Sequence, residues 1–148
     1  MPIRSAARGR LVLDTHVWIW AVEGMTAQLG TAAVTAIEEA ARASVLAVSA
    51  ISVWELAMLV RRQRLTLAAP VSTWIEASLR PPGARIIPVG AAIALDSTQL
   101  PDFDHHKDPA DRIIVATARR YGTLLTCDDS VLAWARAHKH VRVLDGRP

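Results

Sequence analysis

Short apolar runs alternate along this chain with longer stretches in which apolar residues recur at helical spacing. Leu11–Leu13, Val45–Val48, Arg85–Val89, Leu124–Cys127 and Val141–Leu144 are short and apolar enough to be buried strands. Between them, Thr15–Val22, Thr31–Ser44, Ser49–Arg64, Pro70–Arg80, Ala91–Gln99, Pro109–Tyr121 and Ser130–His138 read as helices. Pro70 and Asp108-Pro109 open two of these, Gly122 stops another, and Ser52-Val-Trp-Glu55 matches a capping box. Leu100–Lys107 reads as a polar loop. Strands separated by helices need right-handed crossovers, so the pattern predicts a parallel sheet covered on both faces. The expected fold is one three-layer α/β/α sandwich over residues 11–148, preceded by a basic N-terminal extension, residues 1–10.

Composition narrows the setting. A length of 148 residues suits one domain, and 51% hydrophobic residues suffice for a sizeable core. The net charge of +3 permits an anionic partner, and arginine dominates the basic set, with Lys107 and Lys139 the only lysines. Guanidinium groups grip phosphate or carboxylate bidentately, which suits RNA or an acidic protein surface. Cys127 is the single cysteine, so no internal disulfide forms and a reducing compartment is expected. The run Leu11–Val22 holds Asp14 and His16 and makes a poor secretory core, and no stretch is apolar enough for a membrane span. The expectation is a soluble, cytoplasmic protein with no membrane partner.

The chemistry lies in acids at strand-to-helix junctions. Asp14 ends the first strand, Asp128 ends the fourth, Asp111 lies in the first turn after Asp108-Pro109, and Glu55 lies early in the third helix. Each has a structural explanation: Asp14, Asp108 and Asp128 can cap helices, Asp111 can favour a helix dipole, and Glu55 can complete the capping box. Number and redundancy strain that account, because two junctions carry two acids each where one cap suffices. Two carboxylates ~4 Å apart repel by roughly 4 kcal/mol at an effective dielectric near 20. A divalent cation removes that repulsion, and oxygen-only ligation suits Mg²⁺ or Mn²⁺.

The segments Leu11-Val-Leu-Asp14-Thr-His-Val-Trp-Ile-Trp20, Val48-Ser-Ala-Ile-Ser-Val-Trp-Glu55, Asp108-Pro-Ala-Asp111-Arg-Ile-Ile-Val-Ala-Thr-Ala118 and Leu124-Leu-Thr-Cys-Asp128 resemble the successive motifs of PIN-domain ribonucleases, above all the VapC toxins of bacterial toxin–antitoxin pairs. The resemblance runs from Leu11 to about Leu144, with all motifs in order. It implies a five-stranded parallel sheet in the order 3-2-1-4-5, with Asp14 beside Asp128 at the switch point. It also implies Asp14, Glu55, Asp111 and Asp128 as the catalytic acidic quartet. Asp14, Asp111 and Asp128 would fix the metal, while Glu55 would hold a second ion or orient the attacking water. The implied partners are an RNA substrate, a VapB-like antitoxin, a second copy in a homodimer, and operator DNA only through the antitoxin.

Weaker candidates surround the quartet. His105 and His106, beside Asp102 and Asp104, allow a second metal site but read as a solvated loop. Arg112 reads as an ion-pair partner for Asp108, or else as a phosphate guide. Trp18 and Trp20 cannot share one helix face, so one is free for a partner. Two rival functions stay open. A phosphohydrolase of the haloacid dehalogenase type would use Asp14, but it wants an acid where His16 stands and a lysine that only Lys107 could supply. A non-catalytic binding module would keep the fold and use the acids only as caps.

Overall fold

The computed structural model describes residues 9–148. Five strands form one sheet: β1 (Arg10–Leu13), β2 (Leu46–Ser49), β3 (Arg85–Ile87), β4 (Gly122–Thr126) and β5 (Arg142–Asp145). Every pairing is parallel, and the order is β3-β2-β1-β4-β5. Seven α-helices link them: α1 (Thr15–Val22), α2 (Thr31–Arg42), α3 (Ala50–Arg61), α4 (Val71–Leu79), α5 (Ala91–Thr98), α6 (Pro109–Tyr121) and α7 (Asp129–His138). The sandwich and strand order expected from the sequence are therefore those observed.

Side-chain parity along the strands divides the core in two, since successive residues face opposite sides of a sheet. Val12, Ala47, Ile87 and Leu124 join Ile93 of α5, Ile114 of α6 and Trp134 of α7 on one face. Leu11, Leu13, Leu46, Val48 and Leu125 join Trp18 of α1, Ala40 of α2, Leu56 of α3 and Trp74 of α4 on the other. No helix among the described residues is long and apolar enough to cross a membrane.

Several boundaries move. Residues 1–8 of the expected basic extension lie outside the described residues, and Arg10 begins β1, paired with Gly122. Helix α3 stops at Arg61 rather than Arg64, because Gln63 turns the chain with φ of 58°. The capping box at Ser52 is overturned. Ser49 is the cap, accepting from the Ile51 N–H, while Ser52 is buried within the helix. That shift releases Glu55 from any duty at the helix start.

Candidate active site

All strands end at one edge of a parallel sheet, and the crossovers diverge on either side of β1, which opens a crevice there. Asp14 follows the last residue of β1 and its N–H donates to the Leu125 carbonyl, which continues the β1–β4 ladder by one step. Because Leu13 pairs with Leu125, the residue level with Asp14 is Thr126, not Asp128. The Thr126 hydroxyl donates to Asp14 Oδ2 at 2.7 Å, and the Thr15 N–H donates to Oδ1 at 2.8 Å. Asp14 is thus a helix cap and a cleft residue at once. One edge reaches the cleft, but the packing around it dominates and pushes the carboxyl above its usual range, against the effect of both hydrogen bonds.

Glu55 reaches the same cleft from α3. Its Oε1 accepts from the Thr15 hydroxyl at 2.6 Å, and that hydroxyl lies 2.8 Å from the buried Ser52 hydroxyl. With Thr15 committed to the carboxylate, Ser52 donates to Thr15, so a two-hydroxyl relay fixes the acid. Burial, reinforced by the nearby charges of Asp111, Asp14 and Asp108, lifts the Glu55 carboxyl to about 7. Ser52 and Glu55 lie three positions apart on α3, so both meet Thr15 on one helix face.

The N-terminus of α6 supplies the third side. Asp108 caps it, accepting from the N–H groups of Ala110 and Asp111. Asp111 stands in the first turn, and its Oδ2 lies 2.7 Å from His106 Nε2. Burial, together with the Asp14 and Asp108 charges, raises Asp111 to about 6 although His106 opposes the shift. His106 is far from a solvated loop residue. It stacks on the buried Phe103 ring with centroids 4.7 Å apart, and its Nδ1 lies 3.2 Å from the Ser130 hydroxyl. His105 is exposed and meets Phe103 only edge-on.

Arg112 fixes the loop that carries His106. Its Nε donates to the Ser97 carbonyl, and its Nη1 donates to those of Phe103 and His106. The expected ion pair with Asp108 does not form; the guanidinium binds backbone instead. Arg112→Ala is therefore expected to cost at least roughly 3 kcal/mol in urea denaturation, since a hydrogen bond from a charged donor contributes ~1.5–3 kcal/mol and the side chain makes more than one. Lysine should not restore it, because a point charge cannot replace the planar fork. A loss below about 0.5 kcal/mol, the usual surface value, would show the clamp to be idle.

Asp128 caps α7 by accepting from the Val131 N–H, and its own N–H donates to the Thr126 hydroxyl. Asp14, Glu55, Asp108, Asp111 and Asp128 line a single cleft of about 300 Å³, together with Thr15, His16, Trp20 and Cys127. Glu55, Asp108 and Asp111 each bring a carboxylate oxygen within 4.8 Å of the others. No arginine or lysine lines the cleft among the described residues, and three of its acids are raised, chiefly by burial and secondarily by one another's charge. An all-oxygen donor set with that imbalance fits a hard divalent cation.

The four acids singled out in the sequence all border this cleft. Asp108, which the sequence marks only as a cap, joins them. Thr15 and Thr126 contribute without having been singled out by sequence reasoning, while Ser52, read as a capping residue, and His106, read as part of a solvated loop, take different roles from those expected. Parity offers a signal for Thr126, two positions before Asp128 on β4, but none marks His106, whose orientation depends on the fold of Leu100–Lys107. Trp18 is buried against Trp74, whereas Trp20 borders the cleft with its ring centroid 5.8 Å from that of His16. Lys107, needed by a haloacid dehalogenase mechanism, is not among the cleft residues.

The family model for the PIN domain matches residues 11–137. Ribonuclease VapC22 of Mycobacterium tuberculosis is 38% identical over 133 residues, covering 89% of this chain and 94% of that protein. In fold, the chain is similar to a chain in the crystal structure of VapBC2 from Rickettsia felis bound to a DNA fragment from their promoter. The TM-score is 0.66 at 16% identity, with 91% of this chain and 97% of that one covered. A chain in the structure of FitAB bound to an IR36 DNA fragment gives a TM-score of 0.60 at 26% identity, covering 91% and 94%.

Proposed function

The chain belongs to the PIN domain family, and on that premise we propose that it is a divalent-metal-dependent endoribonuclease, the toxin of a toxin–antitoxin pair. The observation that carries this reading is the single cleft in which five carboxylates converge, with no lysine or arginine on its lining among the described residues. Asp14, Asp111 and Asp128 hold Mg²⁺ or Mn²⁺ in this reading, with Asp108 close enough to Glu55 and Asp111 to assist. When bound, the ion neutralises phosphate charge and makes water a stronger acid. Glu55, held by Thr15 and raised to about 7, accepts the proton of the attacking water near neutral pH, or else helps to hold a second ion. Trp20 and His16 give the cleft an aromatic wall on which an unpaired base can stack.

The protein partner in this reading is a VapB-like antitoxin. On α3, Trp54 is 56% exposed and precedes Glu55 in sequence, and it offers an apolar surface for a partner that would also close the cleft. Operator DNA would be reached only through that antitoxin, and the toxin is read as a homodimer.

The test is incubation of the isolated chain with single-stranded RNA and Mg²⁺ or Mn²⁺. Cleavage should stop with excess chelator and leave 5′-phosphate and 3′-hydroxyl ends. A 2′-O-methyl group at the cut nucleotide should be tolerated chemically, because water is the nucleophile. Products ending in 2′,3′-cyclic phosphate, or cleavage indifferent to chelator, would overturn the mechanism. Binding of RNA with no cleavage under any divalent metal would favour the non-catalytic module.

A further inference from the structure

A second group of metal-ligating side chains lies away from the acidic cleft. His138 closes α7, His140 follows it, and Asp102 comes from the loop Leu100–Lys107. Each of the three offers a donor atom within 4.8 Å of the others. His138 Nδ1 lies 3.4 Å from Asp102 Oδ2, and His140 Nε2 lies 4.0 Å from the same oxygen. The two imidazoles are parallel, with an interplanar angle of 5° and centroids 6.1 Å apart. Helix α7 starts at the Asp128 end of the sheet and runs ten residues, about 15 Å, to the opposite edge. The cluster is thus remote from the cleft and independent of the nuclease reading.

The backbone around the cluster is held in place. Lys139 lies between the histidines with φ of 54°, and Asp102 has φ of 57°, both in the left-handed region that non-glycine residues seldom occupy. The turn at Lys139 brings two residues at i and i+2 to one side. Asp102 sits between two anchors: the Pro101 carbonyl accepts from Trp134 Nε1 at 2.8 Å, and Phe103 is fully buried. The His140 carbonyl accepts from Arg119 Nε at 3.1 Å. The donors come from two segments far apart in sequence, with their backbones fixed on both sides.

We propose that Asp102, His138 and His140 form a surface site for a zinc-class divalent transition cation, which clips the Leu100–Lys107 loop to the C-terminal end of α7. Two imidazoles and one carboxylate suit Zn²⁺, with bonds of ~2.0–2.2 Å and a fourth position open to water. The chemistry differs in kind from that of the acid cluster in the cleft, Glu55, Asp108 and Asp111, which offers carboxylate oxygens. The loop is the same one that delivers His106 to Asp111, so the clip fixes its far end.

The experiment is calorimetric titration of the full chain with Zn²⁺ in ~10 mM Mg²⁺, a probe concentration chosen to favour Mg²⁺ on the hard carboxylate site. One Zn²⁺ should bind per chain and raise the melting temperature. His138→Ala combined with His140→Ala should weaken binding at least about 100-fold and remove the thermal shift, since even outer-shell partners are worth roughly 10–100-fold. Both side chains are solvent-accessible, so the metal-free melting temperature of that variant should match the wild type and certify its fold. Asp104→Ala, at the neighbouring exposed acid, should bind Zn²⁺ as the wild type does. Asp14→Asn should also keep the Zn²⁺ site. Binding unchanged by the double substitution, lost in Asp14→Asn, or absent from the wild type overturns the proposal.

Discussion

Asp14→Asn is expected to abolish RNA cleavage while leaving the protein folded. Asparagine keeps the shape, and its oxygen can still accept from the Thr15 N–H that Asp14 now engages. Its amide can face Thr126, whose hydroxyl then turns to accept rather than donate. The charge that is removed lies in a packed setting that already favours the neutral acid, so the metal-free melting temperature should hold or rise. Catalysis should respond in the opposite sense, because the side chain loses the anionic oxygen proposed to hold the metal. Removing a single transition-state hydrogen-bond donor costs ~10²–10³ in rate, and loss of a metal ligand should cost at least roughly 10³-fold. The measurement is Mg²⁺-dependent cleavage with circular dichroism and melting on the same preparation. A folded variant that cuts RNA at the wild-type rate would remove Asp14 from the metal site.

The fold is legible in the sequence because strands and helices here obey one-dimensional rules. Leu124 and Leu125 feed opposite cores, as strand parity requires, and Asp108-Pro109 starts α6 where a cap and an N1 proline belong. The acids are legible for a related reason: a parallel sheet brings every strand end to one edge, so sequence position alone carries Asp14 and Asp128 there. What stays hidden depends on side-chain direction across elements. Ser52 has the spacing of a cap, but the strand before it runs one residue further, to Ser49, and frees Ser52 to support Thr15. Arg112 reads as an ion-pair partner because Asp108 is its neighbour in sequence, yet it binds the Ser97 carbonyl of α5 and two carbonyls of the folded loop, those of Phe103 and His106. His106 enters the site only because Phe103 is buried beneath it, a contact that no periodicity in Leu100–Lys107 announces.

Without metal, the protein is expected to lose stability as pH rises from about 4 to 7, and Mg²⁺ should reverse that trend. The folded state holds Glu55 at about 7 and Asp111 at about 6, while the unfolded chain releases those protons near ~4. Between these limits the native state binds more protons than the unfolded state, so unfolding free energy falls with rising pH. The contribution is full below the unfolded values and gone above the folded ones. Each tenfold difference in acidity between the two states corresponds to ~1.4 kcal/mol, and both acids retain contact with solvent. Discounted for that screening, the pair should account for roughly 2–3 kcal/mol over the window. Asp145, held well below the usual range by Arg147, acts only at more acidic pH and does not blur the trend. Mg²⁺ needs the ionised carboxylates, so its stabilisation should be small at pH 5 and reach ~2.7 kcal/mol at pH 7.5 with metal at ~100 times Kd. Urea denaturation at several pH values, with chelator or with Mg²⁺, measures both effects. Asp111→Asn should flatten the metal-free slope and lose much of the Mg²⁺ gain. A metal-free stability that climbs through this window, with a pH-independent Mg²⁺ effect equal in both proteins, would mean that the raised acids are not a cation site. The cleft carboxylates would then be helix caps that happen to share an edge.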